Sequence, residues 1–452
     1  MIKSMSINPF DTQLGCRYPS PQERAFLVNF LTLLTTPVGS EKPYDGITDM
    51  VGLIVDEMYK KFSDENTPNL YAANLNTTID EKLQTLQFTP DPHTTWWEIT
   101  DLLFKKGETH LATITQRYAT PLLADAASIC RNSNIEDLYG KIKTPTGEEL
   151  INAFGRMISS SIREYPILSE ITSFDLGEAR VISLDLDEVA KSGGEAADRQ
   201  TAVMYMLARY ILAKNYYLIE DHVKEMPQLY QEHHKKRIKE IREDPKRIVF
   251  DEFHRTSKAK AVRDQVIVDM REGRKWGVQV ALLSQSIDDF DPVMIEFATA
   301  IFIMDAGPKQ AIDKSAKIFG LSDTAKLALE KKVHGPRQDG STFLAQFSTK
   351  EGINTQLITN TIGPMELWAF NTTAEDVRIR NALYDHIGAT NARKILAQKY
   401  PNGSAAKDVE KRLAVFEGPS KGELETSSKN LANSVIEQII NEILEDYKKI
   451  KA

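Results

Sequence analysis

The segment Ile248-Val249-Phe250-Asp251-Glu252 is an apolar run that ends in two adjacent carboxylates. A second apolar run, residues 278–283, leads into Ser284-Gln285-Ser286. Runs of this length that are rich in β-branched and aromatic residues predict β-strands. Because the carboxyl ends of parallel strands share one edge of a sheet, polar residues that follow two such strands come together there. The sequence therefore predicts a polar site that contains Asp251, Glu252 and Gln285.

Hydrophobic periodicity divides the rest of the chain into helical and mixed regions. Helical patterns separated by polar breaks occupy residues 21–175, after a strand-like segment at residues 5–10. Strand-length segments then alternate with helices at residues 180–186, 247–250, 278–284 and 300–304. Further segments that read as an antiparallel extension lie at residues 341–347, 354–361 and 365–370. The pattern predicts an α/β fold, a parallel sheet with helices on both faces, followed by a helical tail over residues 374–452.

Composition restricts the class of protein. The chain has 452 residues, 41% of them hydrophobic and 27% charged, which excludes wholesale disorder and a fibrous repeat. Its 56 Lys+Arg against 64 Asp+Glu give a net charge of −8. No apolar run reaches the ~18 residues of a spanning helix, so we expect any membrane link to go through partners. Two cysteines, Cys16 and Cys130, exclude a disulfide scaffold and a zinc site and fit a reducing compartment.

The adjacent carboxylates suit metal-assisted hydrolysis of a nucleotide. In an ATP-hydrolysing α/β fold, an aspartate at the end of a buried strand holds the water shell of a magnesium ion, and the next glutamate polarises the attacking water. Asp251 and Glu252 stand in that order. The alternative is an apolar strand that ends in two acids without a catalytic role, because such a pair taken alone is not specific.

Two further residues fit the same mechanism. A neutral amide such as Gln285, after the next strand, can sense a γ-phosphate and orient water without adding negative charge. Arg274, at the end of the preceding helix, could reach across a subunit interface as an arginine finger. Each residue also has a non-catalytic interpretation. Gln285 could be an ordinary turn residue, and Arg274 could be a cation that is favoured by the dipole at a helix C-terminus. The four residues together are far more specific than any one of them.

Three stretches carry a resemblance to a known family: KRIVFDEFHRT (residues 246–256), DMREGRKWGVQVALLSQSIDDF (residues 269–290) and AIFIMD (residues 300–305). They resemble the conjugation and type IV secretion ATPases, which belong to the RecA-like P-loop class. The opening SINPFDTQLGCRYPSPQERAFLVNFL, residues 6–31, more narrowly resembles the DotO/IcmB-like ATPases of type IVB (Dot/Icm) secretion systems and their TraU plasmid-transfer relatives.

The resemblance implies roles for these residues and an architecture for the chain. Asp251 is the Walker B aspartate that holds Mg²⁺ through water, Glu252 the catalytic glutamate, Gln285 the sensor and Arg274 the arginine finger, with ATP as the nucleotide. A RecA-like core over residues 176–373 takes its first strand from residues 1–20, and residues 21–175 form an all-helical insertion. The family implies a homo-hexamer at the cytoplasmic face of the bacterial inner membrane, held by inner-membrane secretion components, beside a second ATPase of the DotB type. Nucleic acid enters only as a conjugative substrate.

One family motif is missing. The Walker A loop G-x-x-x-x-G-K-[ST] does not occur, and the loops at residues 191–195 and 139–142 lack its essential residues. The chain therefore resembles the C-terminal part of a longer ATPase. Without the strand that leads into a P-loop, one edge of the strand at residues 278–284 would be exposed, so we expect the isolated chain to be aggregation-prone or incompletely folded.

Two other functions remain open on the sequence. The first is a DNA-translocating motor of the coupling-protein or FtsK/HerA type, which shares the Walker B and sensor arrangement. The second is a non-catalytic assembly module that has lost its P-loop. The apolar stripe of the last helix, which runs from Leu431 to Tyr447, could pack on its own domain or bind a partner.

Overall fold

The computed structural model describes residues 6–40, 42–174, 179–186, 193–337, 340–416 and 425–451. Within this part of the chain the contacts separate two compact units, which divide between Phe297 and Ala298. The first unit is mostly helical and contains a small parallel sheet. The second combines an antiparallel sheet with a group of helices. The protein is therefore a helix-rich α/β protein.

The first unit begins with a block of eight helices. They are α1 (Pro21–Leu34), α2 (Ile47–Phe62), α3 (Thr77–Thr85), α4 (Trp96–Lys105), α5 (Thr109–Gln116), α6 (Leu123–Ile129), α7 (Ser133–Tyr139) and α8 (Leu150–Glu164). α1 begins with a capping box, in which the Ser20 hydroxyl accepts the Glu23 amide at 3.3 Å and the Glu23 carboxylate accepts the Ser20 amide at 2.8 Å. α8 begins after Glu149 without a side-chain cap.

The opening segment is extended but is not a strand. Its described residues, 6–10, lie alongside residues 167–173, where the Ile7 amide donates to the Ile167 carbonyl at 2.7 Å and the Ser173 amide donates to the Ser6 carbonyl at 3.0 Å. No ladder follows, because Pro9 has no amide hydrogen to donate and the chain turns at Phe10. The prediction of a core strand is therefore wrong for these residues, and Met5 lies outside the described part.

The rest of the first unit contains the parallel sheet. Its elements are α9 (Glu195–Ala213), α10 (Glu220–Val223), α11 (Gln231–Glu243), β1 (Lys246–Phe250), α12 (Lys260–Trp276), β2 (Val278–Leu282) and α13 (Pro292–Phe297). β1 and β2 pair in parallel, with Lys246 opposite Val278 and Phe250 opposite Leu282. This pair confirms two of the predicted strands. Residues 180–186, expected as a third, form no strand.

Only one face of this sheet is covered. Ile248 and Phe250 are buried against α9 and α12, whereas the intervening Val249 is 54% exposed. On the open face Arg247 donates from Nε to Oε1 of Gln279 at 2.8 Å, across the register that pairs the two residues. The expectation of helices on both faces is therefore wrong within the described residues. The alternation of buried and exposed residues along β1 is the pattern of a half-covered strand.

The second unit contains the antiparallel sheet. Its elements are β3 (Ala300–Ile303), α14 (Lys309–Phe319), α15 (Asp323–Lys332), β4 (Pro336–Arg337), β5 (Gly340–Thr349) and β6 (Gly352–Asn360). β5 pairs with β3, β4 and β6, in each case antiparallel. The β5–β6 hairpin confirms the predicted antiparallel extension. The segment at residues 300–304, expected in the parallel sheet, instead contributes β3 to this one.

The chain then continues in helices. They are α16 (Pro364–Phe370), α17 (Ala374–Ile387), α18 (Ala389–Lys399), α19 (Ala406–Phe416) and α20 (Glu425–Lys451). The prediction of a strand at residues 365–370 is wrong, because Pro364 at the first helical position opens a helix there. Val435, Ile439 and Ile443 of α20 are fully buried in a core that also contains Trp368 and Leu383. The apolar stripe of the last helix therefore packs within its own unit, and the side chain of Leu431 lies outside the described part.

Two further predictions concern the membrane and the cysteines. None of the described helices combines the length and the apolar composition that crossing a lipid bilayer requires. Cys16 and Cys130 are both buried, and burial raises the pKa of the Cys16 thiol to about 12. Burial also raises the pKa of the Cys130 thiol, and a thiol that is protonated at neutral pH is a poor nucleophile.

Candidate functional site

The first part of the site is the sharp turn that follows β1. The strand ends at Phe250, whose ring is buried, and the carboxylates of Asp251 and Glu252 then emerge at the carboxyl edge of the sheet. The Asp251 side chain is exposed, and its Oδ1 accepts the backbone amide of Glu252 at 3.0 Å. The Glu252 carboxylate is 43% exposed. Both acids are therefore available to a ligand at this edge.

Glu252 has a left-handed backbone conformation, with φ 51° and ψ 46°. Among the described residues only two other non-glycine residues, Asn74 and Gln87, have positive φ. Such a conformation costs roughly 1 kcal/mol or more for a residue with a Cβ atom, and it persists only where the surroundings fix it. Here they do: the Leu283 amide donates to Phe250 O at 2.9 Å, and the Phe253 amide donates to Leu283 O at 2.8 Å.

Gln285, just beyond β2, faces this turn. Its Nε2 donates to Oε2 of Glu252 at 3.0 Å. The Nδ1 atom of His254 lies 3.1 Å from the same oxygen. The structure therefore brings Glu252 and Gln285 together, as expected from the two strand ends, and adds a histidine to the pair.

Arg274 lies elsewhere. It is exposed in the last turn of α12, just before β2 begins at Val278, whereas Gln285 follows the far end of the same strand. At about 3.3 Å per residue, β2 separates the two ends by roughly 13 Å. Within one chain Arg274 therefore stands at the opposite end of the strand pair from Asp251 and Glu252.

Several residues around the site did not follow from the motifs. The Ser284 hydroxyl accepts the His254 amide at 3.1 Å and donates to Oδ2 of Asp289 at 2.6 Å. The same Asp289 oxygen accepts the Ser286 amide at 3.1 Å. Ser286 and Asp289 form a capping box around the short 3-10 turn Ile287–Asp289, and the spacing S-x-x-D was a signal that could have identified it.

A buried tyrosine borders the carboxylates from α9. The ring of Tyr205 stacks on Phe250, with the centroids 6.4 Å apart. Burial raises the pKa of the Tyr205 hydroxyl, the charge of Arg255 opposes this rise, and the charges of Asp251 and Glu252 add to it. The side chain is 8% exposed, so it forms an apolar wall behind the acids. Nothing in the sequence distinguished this tyrosine from other core residues of α9.

The side chains at this edge of the sheet could supply some of the ligands of a magnesium ion. In nucleotide sites Mg²⁺ is held by one or two carboxylates together with waters and substrate phosphates. Asp251 offers an exposed carboxylate at the right place on the fold. Across the described residues, no group of three or more His, Cys, Asp or Glu side chains is arranged to hold a metal ion without such help. The chain therefore fits the carboxylate side of a magnesium–nucleotide site, while a glycine-rich phosphate loop is missing from its sequence.

The fold and the site together define a helix-rich α/β protein in which adjacent carboxylates meet a neutral amide at the carboxyl ends of two parallel strands. No model of a known protein family matches the chain, and no curated protein matches it. Among solved structures, VirB4 of Thermoanaerobacter pseudethanolicus is similar, with 12% sequence identity and a TM-score of 0.45 over 80% of this chain and 75% of that one.

Proposed function

We propose that this chain is the hydrolytic part of an ATPase of the type IV secretion and conjugation class, of the type IVB (Dot/Icm-like) kind. The observation that carries the proposal is the 3.0 Å contact between Gln285 and Glu252 at the carboxyl ends of β1 and β2. A base and a neutral orienting amide are the two groups that water attack on a phosphoryl group requires.

In this proposal each residue has one task. Glu252 accepts the proton of the attacking water, and Gln285 holds the glutamate and the water in line without adding charge. Asp251 holds the magnesium ion of the bound ATP through water. Magnesium and ATP supply the phosphoryl group and its charge neutralisation when they are bound.

The position of Arg274 supports an assembly of several copies. Its exposed guanidinium stands at the end of the strand pair opposite the carboxylates, so it serves a neighbouring site more readily than its own. In a closed homo-oligomeric ring the same surface of each copy meets the site of the next. We therefore propose a homo-hexamer in which Arg274 is the arginine finger. The ring would work in the cytoplasm at the bacterial inner membrane, beside secretion-complex components and a DotB-type ATPase.

The test compares two proteins: the chain itself, and the chain extended upstream through any P-loop that its gene encodes, called the extended protein below. We expect magnesium-dependent ATP hydrolysis by the extended protein. Glu252→Gln keeps the shape of the side chain but removes its basicity, so it should preserve ATP binding and lower turnover about a hundredfold or more. Loss of binding together with turnover would instead give Glu252 a structural role.

The second candidate is a non-catalytic assembly module, which the missing Walker A motif favours. This reading predicts that neither protein hydrolyses ATP, while both fold and form rings. A ring measured by light scattering with no turnover in the extended protein would decide for it. A DNA-translocating motor would differ from both by turnover that rises when duplex DNA is added.

A further inference from the structure

The turn after β1 and the loop after β2 are joined by more than the contact of Gln285 with Glu252. The Ser284 hydroxyl has one proton, which it donates to Asp289 at 2.6 Å, so an oxygen lone pair is free to accept the His254 amide at 3.1 Å. Because the acceptor of that proton is a carboxylate, the bond is charge-assisted and makes the Ser284 oxygen a better acceptor. Ser284 therefore ties the backbone of one loop to the other.

Asp289 is itself held from α12. Nη2 of Arg263 donates to the Asp289 carbonyl at 2.7 Å, and Nε donates to Oδ2 of Asp291 at 3.0 Å. The same guanidinium lies over the ring of Phe253, 5.1 Å from its centroid. The Arg263 side chain is 12% exposed, so these contacts are largely shielded from water. The Arg263 guanidinium thus contacts both loops and holds the backbone of Asp289, the residue whose carboxylate accepts the Ser284 hydroxyl.

We propose that Ser284 and Asp289 are positioning residues that set the approach of Gln285 to Glu252. Ser284 directly precedes Gln285, and the amide that it accepts, from His254, lies two residues beyond Glu252. Without the Ser284 hydroxyl, the His254 amide in the turn after β1 loses its acceptor, and the Asp289 carboxylate in the loop after β2 loses a donor. The left-handed conformation of Glu252 then loses one of the bonds that hold it. This role rests on the function proposed above, in which Gln285 and Glu252 act together on water.

The first test needs no ATP turnover. Amide hydrogen exchange of the 452-residue chain is followed by mass spectrometry on overlapping peptides that contain His254. We expect Ser284→Ala and Asp289→Ala to speed exchange of this amide roughly tenfold or more, since each removes a bond in a charged network. Ser284→Thr keeps a hydroxyl at this position, so the His254 amide should exchange slowly in that variant. It should also exchange slowly in Ser257→Ala, a control that removes the hydroxyl of an exposed serine on the neighbouring turn. Unchanged exchange in both alanine variants would overturn the coupling.

The second test separates positioning from general support. In the extended protein we expect Ser284→Ala to lower kcat about tenfold with little change in the KM for ATP, and Ser284→Thr to recover most of the loss. In a Gln285→Ala background the same change should cost almost nothing, because residues that act through one another are not additive. Additive losses would overturn the positioning role. An inactive wild-type extended protein would refute the proposed function instead, and the exchange experiment would still decide whether Ser284 couples the loops.

Discussion

Nε2 of Gln285 lies 3.0 Å from Oε2 of Glu252, although the two residues are 33 positions apart in the chain. The parallel pairing of β1 and β2 brings them together, since both strands end at this edge. A neutral amide donates to the carboxylate without neutralising it, whereas a cation would hold it in an ion pair. The glutamate can therefore remain a base while its position is fixed.

The first prediction concerns replacement of the neutral amide of Gln285 by a charged group. Gln285→Glu places a second carboxylate against Glu252, and like charges at hydrogen-bond distance repel each other and disfavour the ionised pair. We expect kcat of the extended protein to fall about tenfold to a hundredfold. The stability of the chain should change little, because the Glu252 side chain is 43% exposed and water screens the repulsion.

Gln279→Glu is the matched control. It makes the same substitution within β2, on the open side of the sheet, where the new carboxylate gains Arg247 as a cationic partner. Turnover should be unaffected. If Gln285→Glu retained full turnover while Glu252→Gln abolished it, the sensor role of Gln285 would be wrong.

The second prediction concerns the backbone of Glu252. Its φ of 51° is a conformation that glycine adopts without steric cost. We expect Glu252→Gly to stabilise the first unit by about 1 kcal/mol or slightly less, the steric relief being partly offset by the added freedom of the unfolded chain. Turnover of the extended protein should nevertheless be lost, because the base is gone. Urea unfolding of the chain measures the first effect and an ATPase assay the second.

Glu252→Ala separates the backbone effect from the loss of charge. It removes the same carboxylate but keeps Cβ, so it should not show the stabilisation. Equal stability of the glycine and alanine variants would mean that the turn does not strain Glu252. A site that is more stable without its base would be an instance of stability given up for activity.

Part of this arrangement follows from the sequence in physical terms. Apolar runs of strand length identify β1 and β2, and their common direction brings the following polar residues to one edge, so the meeting of Glu252 with Gln285 could be predicted. The contacts of Ser284 and Arg263 could not be predicted, because they depend on the conformation of the loops, which hydrophobic periodicity does not determine. His254 lies only two residues beyond Glu252 in the sequence, yet the position of its ring depends on the 3-10 turn Phe253–Thr256.

The sequence does not encode which strands pair with one another. Residues 300–304 have the composition of a strand, but no feature of the local sequence indicates that this strand pairs with β5 and not with β2. The apolar composition of residues 365–370 suggests a strand, whereas Pro364 ahead of them is a helix-start signal, and the structure has a helix there. The sequence did not indicate that only one face of the parallel sheet is covered, because Ile248, Val249 and Phe250 are all apolar and only the structure shows that Val249 is exposed.

The third prediction concerns the junction between α12 and β2. A Cβ atom at Gly273 would lie 2.6 Å from the carbonyl oxygen of Val278, which is backbone and cannot move aside cheaply. We expect Gly273→Ala to destabilise the first unit by roughly 1–3 kcal/mol, as overpacking does, although alanine normally favours a helix. Because Arg274 is the next residue, turnover of the extended protein should fall as well.

Gly155→Ala in α8 is the matched control. A Cβ atom there would meet only the Cys130 sulfur at 3.9 Å, an ordinary contact, so the change should be neutral or stabilising by up to about 1 kcal/mol. Thermal melts of both variants beside the wild-type chain give the comparison. A Gly273→Ala variant as stable as the wild type would show that the end of α12 can shift away from β2.

The fourth prediction is a pH dependence that originates in a buried histidine. His234 of α11 is completely buried, and its Nε2 donates to the carbonyl of Leu14 at 2.7 Å. Burial lowers the pKa of the His234 ring from 6.5 to about 4; the hydrogen bond to Leu14 opposes this shift, and the charges of His233 and Arg237 contribute to it. Above pH 6.5 the ring is neutral in both the folded and the unfolded chain. As the pH falls, the unfolded chain takes up the proton first, so stability is lost between pH 6.5 and about pH 4.

The measurement is the free energy of unfolding in urea for the wild type and His234→Gln at pH 7.5 and pH 5.0. The variant lacks the titrating ring, so the stability advantage of the wild type should shrink by about 2 kcal/mol between the two pH values. Carboxylates contribute their own acid sensitivity, but they are common to both proteins and cancel in the difference. A constant advantage for the wild type over His234→Gln would mean that the ring is hydrated and free to protonate in the folded chain, and that the contact of α11 with Leu14 opens readily.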